Sequence, residues 1–337
     1  MTMNFNKRQL QKEADKYHYI RDTYEKVIRL VDILSYIRME PDLFNNLALK
    51  GGTAINLTIF DLPRLSVDID LDFTTNSSRE EMMQKRKRIK ELLVNYLEKN
   101  GYKLDKDTRE HHALDSLKAS YINAGGNPDT IKIEINYMLR AHVYEPVIVK
   151  TKDYGLIGEV EIRAINPIEI FGSKLVALMT RSTPRDLYDF LYMINSNIFN
   201  EIEINKMKKC AVFYRAISNE NGNFDFNLNN IDSITQNQIK RFLLPVINSK
   251  EFFSLPEAKQ KIIDFFNEHF VLNENESMFL DQFKQKNYMP ELLYDGNELK
   301  RIKITLWLYG KQEQQRNSKH PYGCFFFKGK KKTTNKE

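Results

Sequence analysis

Cysteine is nearly absent from this chain of 337 residues, which contains only Cys210 and Cys324. Two thiols far apart in sequence exclude a disulfide framework and a zinc site built from cysteines. Long apolar runs are also missing, because no stretch approaches the roughly 18 residues of a membrane span. The N-terminal stretch lacks the apolar segment of a signal peptide. We therefore expect a protein of the reducing cytoplasm, without a membrane partner.

An excess of charge of one sign is missing from most of the chain. The formal net charge is +6, but residues 311–337 contain eight Lys or Arg and two Glu, which leaves 43 charges of each sign in the preceding 310 residues. Only a local patch could therefore bind a phosphate backbone. The candidate RNA-binding patch is a run of five cations, for which a solvated helix face is the alternative: Lys85, Arg86, Lys87, Arg88 and Lys90.

Helical signals dominate the first hundred residues. Apolar residues recur at helical spacing over 8–38, which predicts an N-terminal helix or helix pair. Ser78 and Glu81 have the spacing of a capping box. Because Gly101 follows the apolar pattern, the helix that begins after Ser78 is expected to end just before this glycine.

A second helical region is predicted after residue 165. Asn166 and Thr183 are each followed by proline, which favours an N-cap at both positions. Glu169 and Asp186, three residues after these caps, are expected to complete two capping boxes. Helical patterns continue over about 200–310.

Alternating apolar and polar residues among these helices indicate strands, so the fold class is α+β. We predict an α/β domain with N-terminal helices over 1–164 and a helical C-terminal domain over 165–312. Residues 313–337 are expected to form a basic, mobile tail.

The segment SVDIDLDF at 66–73 places three aspartates at alternate positions of an apolar run. Successive side chains of a strand point to opposite faces, so Asp68, Asp70 and Asp72 share one face. A second alternating segment, KIEINY, carries Glu134. The two strands therefore predict an acidic surface.

Such a surface requires cations. Two like charges about 4 Å apart repel by roughly 4 kcal/mol at an effective dielectric constant near 20, and divalent metals with oxygen ligands relieve this repulsion. An EF-hand is excluded because its glycine and glutamate positions are occupied by Phe73 and Arg79. A P-loop is excluded because Lys50-Gly51-Gly52-Thr53 lacks a second glycine five positions after the first, with a lysine directly after it.

The segment LALKGGTAINLTIF predicts a short strand, a glycine turn and a helix N-terminus. The amide groups near Gly52 and Thr53 would be available to phosphates. A glycine turn followed by paired carboxylates on a strand is the arrangement expected of a triphosphate site beside two metal ions.

These motifs resemble the AbiEii/AbiGii toxin nucleotidyltransferases, relatives of the MenT toxins in the DNA polymerase β-like superfamily. The segments LKGGTAINL and RLSVDIDLDF are similar to the first motif of that family. KIEINY, FGSKLVALMTR and PRDLYDF are similar to its later motifs, in the same order, and together they cover about residues 40–195. The resemblance implies a polymerase β-like nucleotidyltransferase domain followed by a helical domain.

The resemblance also implies roles for individual residues. The catalytic set is Asp68, Asp70, Glu134, Lys174, Asp186 and Asp189, of which Asp68, Asp70 and Glu134 would bind the metal ions. The residues expected to contact the nucleotide are Gly51, Gly52, Thr53, Arg64, Ser66 and Lys174. Asp72, the third aspartate of the strand, leaves the identity of the metal-binding pair open.

By resemblance, the chain is expected to be the toxin of a bacterial toxin–antitoxin or phage-defence pair with an AbiEi-like antitoxin partner. It would transfer NMP from an NTP with two Mg²⁺ ions, or with Mn²⁺, and the tRNA 3′ end is the expected acceptor. A protein acceptor is the first alternative. A non-catalytic nucleotide-binding or RNA-binding regulator is the second.

Deletion of residues 318–337 should leave the melting temperature and metal-dependent chemistry unchanged. This segment combines a lysine run with no amphipathic pattern, so we expect it to contribute no core packing. Thermal melting of the shortened and full-length chains tests this. Aggregation, or melting far below the full-length chain, would show that Phe325 to Phe327 pack into the core.

Overall fold

The computed structural model describes residues 6–60, 62–105, 109–111, 113–138, 142–218 and 223–303. Cys324 and the predicted tail lie outside them. The strands are β1 (Leu47–Leu49), β2 (Asp68–Phe73), β3 (Lys103–Leu104), β4 (Arg109–His111), β5 (Leu114–Ile122), β6 (Pro128–Asn136), β7 (Val147–Lys150) and β8 (Glu161–Ala164). They form one mixed sheet in the order β3–β5–β6–β2–β1–β8–β7, with β4 paired to β5.

Helices surround this sheet and make up most of the described chain after β8. The α-helices are α1 (Lys7–Lys16), α2 (Arg21–Met39), α3 (Pro41–Phe44), α4 (Gly51–Ala54), α5 (Arg79–Lys99), α6 (Pro167–Thr180), α7 (Pro184–Ser196), α8 (Glu201–Ile217), α9 (Gln236–Phe242), α10 (Leu255–His269) and α11 (Glu274–Lys284). Residues 296–303 are also helical. In the described part of the chain, no helix is both long and apolar enough to span a membrane. The predicted α+β class is confirmed.

The local signals at the first helices act as the sequence predicts. The periodic segment 8–38 forms two helices, α1 and α2, separated by a turn in which His18 has a φ of 60°. Ser78 and Glu81 form both hydrogen bonds of a capping box at the start of α5. Gly101 follows α5 with a φ of 81°, a conformation that glycine adopts without strain.

The centre of the sheet is the parallel pair β2 and β6. Asp68 lies opposite Lys132, Asp70 opposite Glu134 and Asp72 opposite Asn136. All of these positions share one face because the side-chain period of a strand is two. The intervening positions on both strands are buried apolar residues on the other face: Ile69, Leu71, Ile133 and Ile135.

Helix α5 packs on this apolar face. Its Arg86 is buried, with Nη2 2.6 Å from Oδ1 of Asp115 and the guanidinium 4.9 Å from the ring centre of Tyr137. Asp115 pairs with Ile135, whereas its neighbour Ser116 pairs with Glu134. Asp115 and Glu134 therefore lie on opposite faces, and α5 covers the face opposite the acidic one.

This location corrects the RNA-binding prediction for Arg86, one of the five cations on α5. Arg86 is an internal ion-pair partner and not part of an exposed patch. Lys85 Nζ donates to Asn46 Oδ1 at 2.9 Å, and Arg88 pairs with Asp42 at 3.0 Å. Lys87 is exposed and Lys90 is half-buried, but both belong to a helix on the back of the sheet. The sequence pattern could not show which face α5 covers.

Arg86→Gln should lower the free energy of unfolding by about 3 kcal/mol, because it leaves the Asp115 carboxylate buried without its charge partner. Lys87→Gln, an exposed neighbour on the same helix, is the matched control and should change stability by less than about 0.5 kcal/mol. Urea unfolding measures both. Equal stability of the two variants would contradict the internal placement of Arg86.

Candidate active site

Asp68, Asp70 and Glu134 form the acidic centre of the sheet face opposite α5. The parallel register places Asp70 directly opposite Glu134, and Asp68 is two positions earlier on β2. The Glu134 carboxylate is 2.7 Å from Lys132 Nζ, the cation on the same face of β6. The three predicted metal ligands thus occupy two adjoining strands.

The electrostatics of this face favour a cation. Burial raises the pKa of Asp70 to about 6, while Lys50 opposes this shift and the carboxylates of Asp68 and Glu134 reinforce it. Burial also raises the pKa of Asp68, and Lys132 and Arg185 act in the opposite direction. Desolvation and like charge therefore destabilise the ionised carboxylates, and a bound cation would reverse both effects.

The donor set fits a divalent metal in its chemistry. Carboxylate oxygens are the ligands that Mg²⁺ and Mn²⁺ prefer. Among the described side chains, no group of three His, Cys, Asp or Glu residues is arranged to hold a metal ion. Glu134 is engaged with Lys132 instead, so its carboxylate would have to turn away from Lys132 to join Asp68 and Asp70.

The predicted glycine turn lies directly against these carboxylates. Gly51 has a φ of 67°, and a Cβ atom there would lie 3.1 Å from Asp70 Oδ2. A Cβ atom at Gly52 would lie 2.4 Å from Arg64 Nη2, closer than van der Waals contact allows. The backbone N–H of Lys50 donates to the carbonyl of Asp70 at 2.9 Å. Both glycines are needed because acidic and basic side chains approach the turn from two sides.

Thr53 and Ser66 attach the turn to the start of β2. The Thr53 hydroxyl donates to the carbonyl of Asp68, and its Oγ1 is 2.8 Å from Ser66 Oγ. Both residues are buried. The structure therefore places the hydroxyl groups of these two predicted nucleotide-binding residues in hydrogen bonds within the protein.

A buried chain of charges lies behind the turn and joins it to α6 and α7. Arg64 binds Asp189 through two hydrogen bonds of 2.6 Å. Lys174 Nζ is 2.7 Å from Asp189 Oδ2 and 3.2 Å from Asp186 Oδ1. Arg181 in turn binds Asp186 at 2.7 and 2.9 Å. The network thus brings together four residues that the sequence singles out, and Arg181 is its one new member.

The cations of this network keep its carboxylates ionised. Burial acts to raise the pKa of Asp189, but Arg64 and Lys174 outweigh it and lower that pKa. The pKa of Asp186 is well below its usual range because Lys174 and Arg181 outweigh the same effect of burial. Thr183 caps α7 by accepting from the backbone N–H of Asp186. The Asp186 carboxylate accepts a 2.6 Å hydrogen bond from the Thr183 hydroxyl and not from the Thr183 backbone, so the predicted capping box is replaced by the charge network.

Asp72 differs from Asp68 and Asp70 in its partners. It is buried, forms an ion pair with Lys50 and lies 3.6 Å from His142 Nε2. The sequence left open whether Asp72 binds metal. Its carboxylate is engaged with cationic and imidazole groups of the protein, which favours Asp68 and Asp70 as the metal-binding pair.

Glu169 corrects one of the predicted capping boxes. Asn166 caps α6 by accepting from the N–H of Ile168, but Glu169 turns into the core. Its carboxylate is 3.1 Å from His142 Nδ1 and accepts from the Tyr214 hydroxyl and from the backbone N–H groups of residues 143 and 144. Four partners distant in sequence outweigh the single local bond that a capping box offers.

Arg185 and Lys50 are site residues that the sequence analysis did not assign. Burial lowers the pKa of Arg185, and its charge acts on Asp68. Its Nε donates to the carbonyl of Phe242 at 3.1 Å. Arg185 is the second residue of PRDLYDF, and Lys50 precedes the glycine turn, so each adjoins a motif that does carry a signal.

Comparison with known proteins identifies the family and the fold of the chain. A family model described as nucleotidyl transferase AbiEii toxin, type IV TA system, matches residues 32–265. Among solved structures, MenT4, a nucleotidyltransferase toxin from Mycobacterium tuberculosis H37Rv, superimposes with a TM-score of 0.58 at 14% identity. The match covers 90% of this chain and 99% of MenT4, which shows a shared fold. No curated protein sequence matches the chain.

The metal-free protein should lose stability as the pH rises from 4 to 7, through Asp70. Because its pKa is raised from 3.8 to about 6, folded Asp70 keeps a proton that the unfolded chain releases. The stability that protonated Asp70 contributes is fully present below about pH 4, and it is lost as the pH rises through the raised pKa of Asp70. Asp70→Asn, whose neutral amide resembles a protonated carboxyl group, should remove this pH-dependent loss of stability.

The measurement is the free energy of unfolding of both proteins in chelator at several pH values. Subtracting the two curves cancels the carboxylates that do not interact with Asp70 and leaves the titration of Asp70 together with its coupled neighbours Asp68 and Glu134. Between pH 4 and 7, the free energy of unfolding of the Asn variant should rise relative to that of the wild type. A difference that does not change with pH would contradict the burial of an ionisable Asp70.

Proposed function

The chain belongs to the AbiEii family of nucleotidyltransferase toxins of type IV toxin–antitoxin systems, and from this premise we propose that it transfers NMP from an NTP to the 3′ end of tRNA with Mg²⁺. Family membership implies an NTP substrate and an antitoxin partner. The observation that carries the proposal is the pairing of Asp70 with Glu134, beside Asp68 and under the Gly51 turn. This arrangement offers carboxylates to metal ions next to a backbone turn suited to phosphates.

In this proposal Asp68, Asp70 and Glu134 hold the divalent ions. Bound Mg²⁺ would supply activation of the acceptor hydroxyl and neutralise the charge that develops on the transferred phosphorus and the leaving pyrophosphate. The raised pKa of Asp70 supports this assignment. The protein by itself disfavours the ionised carboxylate, and a bound metal ion would stabilise it.

The glycine turn and its cations orient the triphosphate. The Gly51–Gly52 turn offers its backbone N–H groups to phosphate oxygens, and the missing side chains leave room for Asp70 and Arg64 against the turn. Lys174 uses two N–H groups for Asp186 and Asp189, and an ammonium group has a third to give to a phosphate. Arg64 acts through Asp189: it holds the back of the turn and does not contact the nucleotide.

Asp70→Ala should abolish transfer and Asp68→Ala should nearly do so, because each removes a metal ligand. The assay incubates purified protein, Mg²⁺ and each labelled NTP with total RNA and with cell protein. The wild type should label the tRNA 3′ end, as end mapping would confirm. Mass spectrometry of the product identifies the nucleotide that was added.

Asp72→Asn is the matched control, since it alters the same face of the same strand but keeps an acceptor for Lys50. It should retain transfer at a temperature at which it remains folded. Near-wild-type activity of Asp70→Ala would overturn the metal assignment. Label found in protein alone would show that the acceptor is a protein and not tRNA. Binding of NTP without any transfer would indicate a non-catalytic regulator.

A further inference from the structure

An exposed strip at the end of α9 combines aromatic, aliphatic and cationic side chains. We call Lys240, Arg241, Phe242 and Leu244 the α9 strip. Phe242 and Leu244 are each 44% exposed, and the Arg241 guanidinium lies over the Phe242 ring, 5.2 Å from its centre. Nearly half of the Phe242 side chain is accessible to solvent, and the neighbouring cation makes the ring part of a mixed aromatic and cationic surface.

The α9 strip adjoins the beginning of the catalytic strand. The N–H of Leu65 donates to the carbonyl of Val246 at 2.7 Å, and Arg64 forms a β-bridge with Ile247. Asp68 follows Leu65 by three residues, about 10 Å of extended chain. Arg185, whose charge acts on Asp68, donates to the carbonyl of Phe242. The strip and the acidic face are therefore neighbours.

The charge of this segment suits a polyanion. Residues 236–250 contain Lys240, Arg241 and Lys250 but no Asp or Glu, although the charges of residues 1–310 as a whole balance. Lysine is depleted at the centres of protein–protein interfaces. Arginine, lysine and an exposed aromatic ring together are instead characteristic of surfaces that bind single-stranded nucleic acid.

We propose that the α9 strip binds the unpaired 3′-terminal nucleotides of the RNA acceptor, with Phe242 stacked on a base and Lys240 and Arg241 paired with phosphates. This inference rests on the proposed transfer to RNA and specifies where the acceptor enters. Arg185 lies between the strip and Asp68. There its guanidinium can pair with the RNA phosphate that precedes the reacting 3′ hydroxyl. The cations of α5, on the back of the sheet, take no part.

Phe242→Ala tests the stacking contact. The acceptors are a hairpin RNA with four unpaired 3′ nucleotides and the same hairpin with a blunt end. Phe242→Ala should raise KM about tenfold for the first RNA, within the range measured for loss of one base–aromatic stack, and should leave the KM for NTP unchanged. The blunt hairpin should not respond to the substitution, and Phe242→Trp should restore the wild-type KM.

Arg241→Gln tests the phosphate contact. It should weaken binding of the overhang RNA and reduce the slope of log affinity against log salt by about 0.7, as expected for one phosphate contact on a single strand. Phe252→Ala, at a phenylalanine that is 86% exposed, and Lys99→Gln, on α5, are the matched controls. Both should behave as the wild type does.

The outcomes separate the two proposals. RNA transfer by the wild type with an unchanged KM in Phe242→Ala would overturn the strip and leave the proposed function standing. Absence of any RNA transfer by the wild type would overturn both. An equal rise in KM for the overhang RNA in Phe252→Ala would show that the effect reflects a general loss of apolar surface, which would overturn the specific role of Phe242. Loss of antitoxin binding or of self-association in Phe242→Ala, with RNA kinetics intact, would make the strip a protein interface instead.

Discussion

Burial of carboxylates that the sheet does not allow to separate is the constraint on which the rest of the site depends. Desolvation is the main cost of ionising Asp70, and the parallel register of β2 and β6 adds like charge by holding Asp70 opposite Glu134. Cations accordingly surround the pair: Lys50, Lys132 and Arg185 each oppose the rise in an aspartate pKa. These fixed cations reduce the repulsion without removing it, which leaves the face suited to a mobile divalent ion.

A second set of charges connects this face to the helices that follow the sheet. Arg64, from the segment before β2, and Lys174, from α6, meet at Asp189 of α7. Gly52 lies directly on the Arg64 guanidinium, so the position of the glycine turn depends on this buried network. Breaking one member would leave the others charged and buried, at a large cost. The network therefore links the C-terminal helices to the geometry of the nucleotide site.

Local patterns predicted the elements of the site, whereas tertiary partners decided the roles of single residues. The alternation of polar and apolar residues placed Asp68 and Asp70 on one face of a strand. This prediction succeeds because the two-residue period of a strand depends only on its own consecutive residues. Arg86 and Glu169 had equally regular local patterns, as a solvated helix face and a capping box. Each instead enters the core, where Asp115 and His142 are the partners. These partners lie 29 and 27 positions away, a distance at which no local pattern carries information.

The central claim is that Asp68, Asp70 and Glu134 together bind the divalent ions of a nucleotidyltransferase. A crystal structure with Mn²⁺ and a non-hydrolysable NTP tests it most directly, because anomalous scattering locates Mn²⁺ independently of the surrounding atoms. The account predicts Mn²⁺ coordinated by all three carboxylates, with Glu134 released from Lys132 and the triphosphate against the Gly51–Gly52 turn. Mn²⁺ bound at Asp72 or Asp186, or a triphosphate remote from the turn, would contradict it.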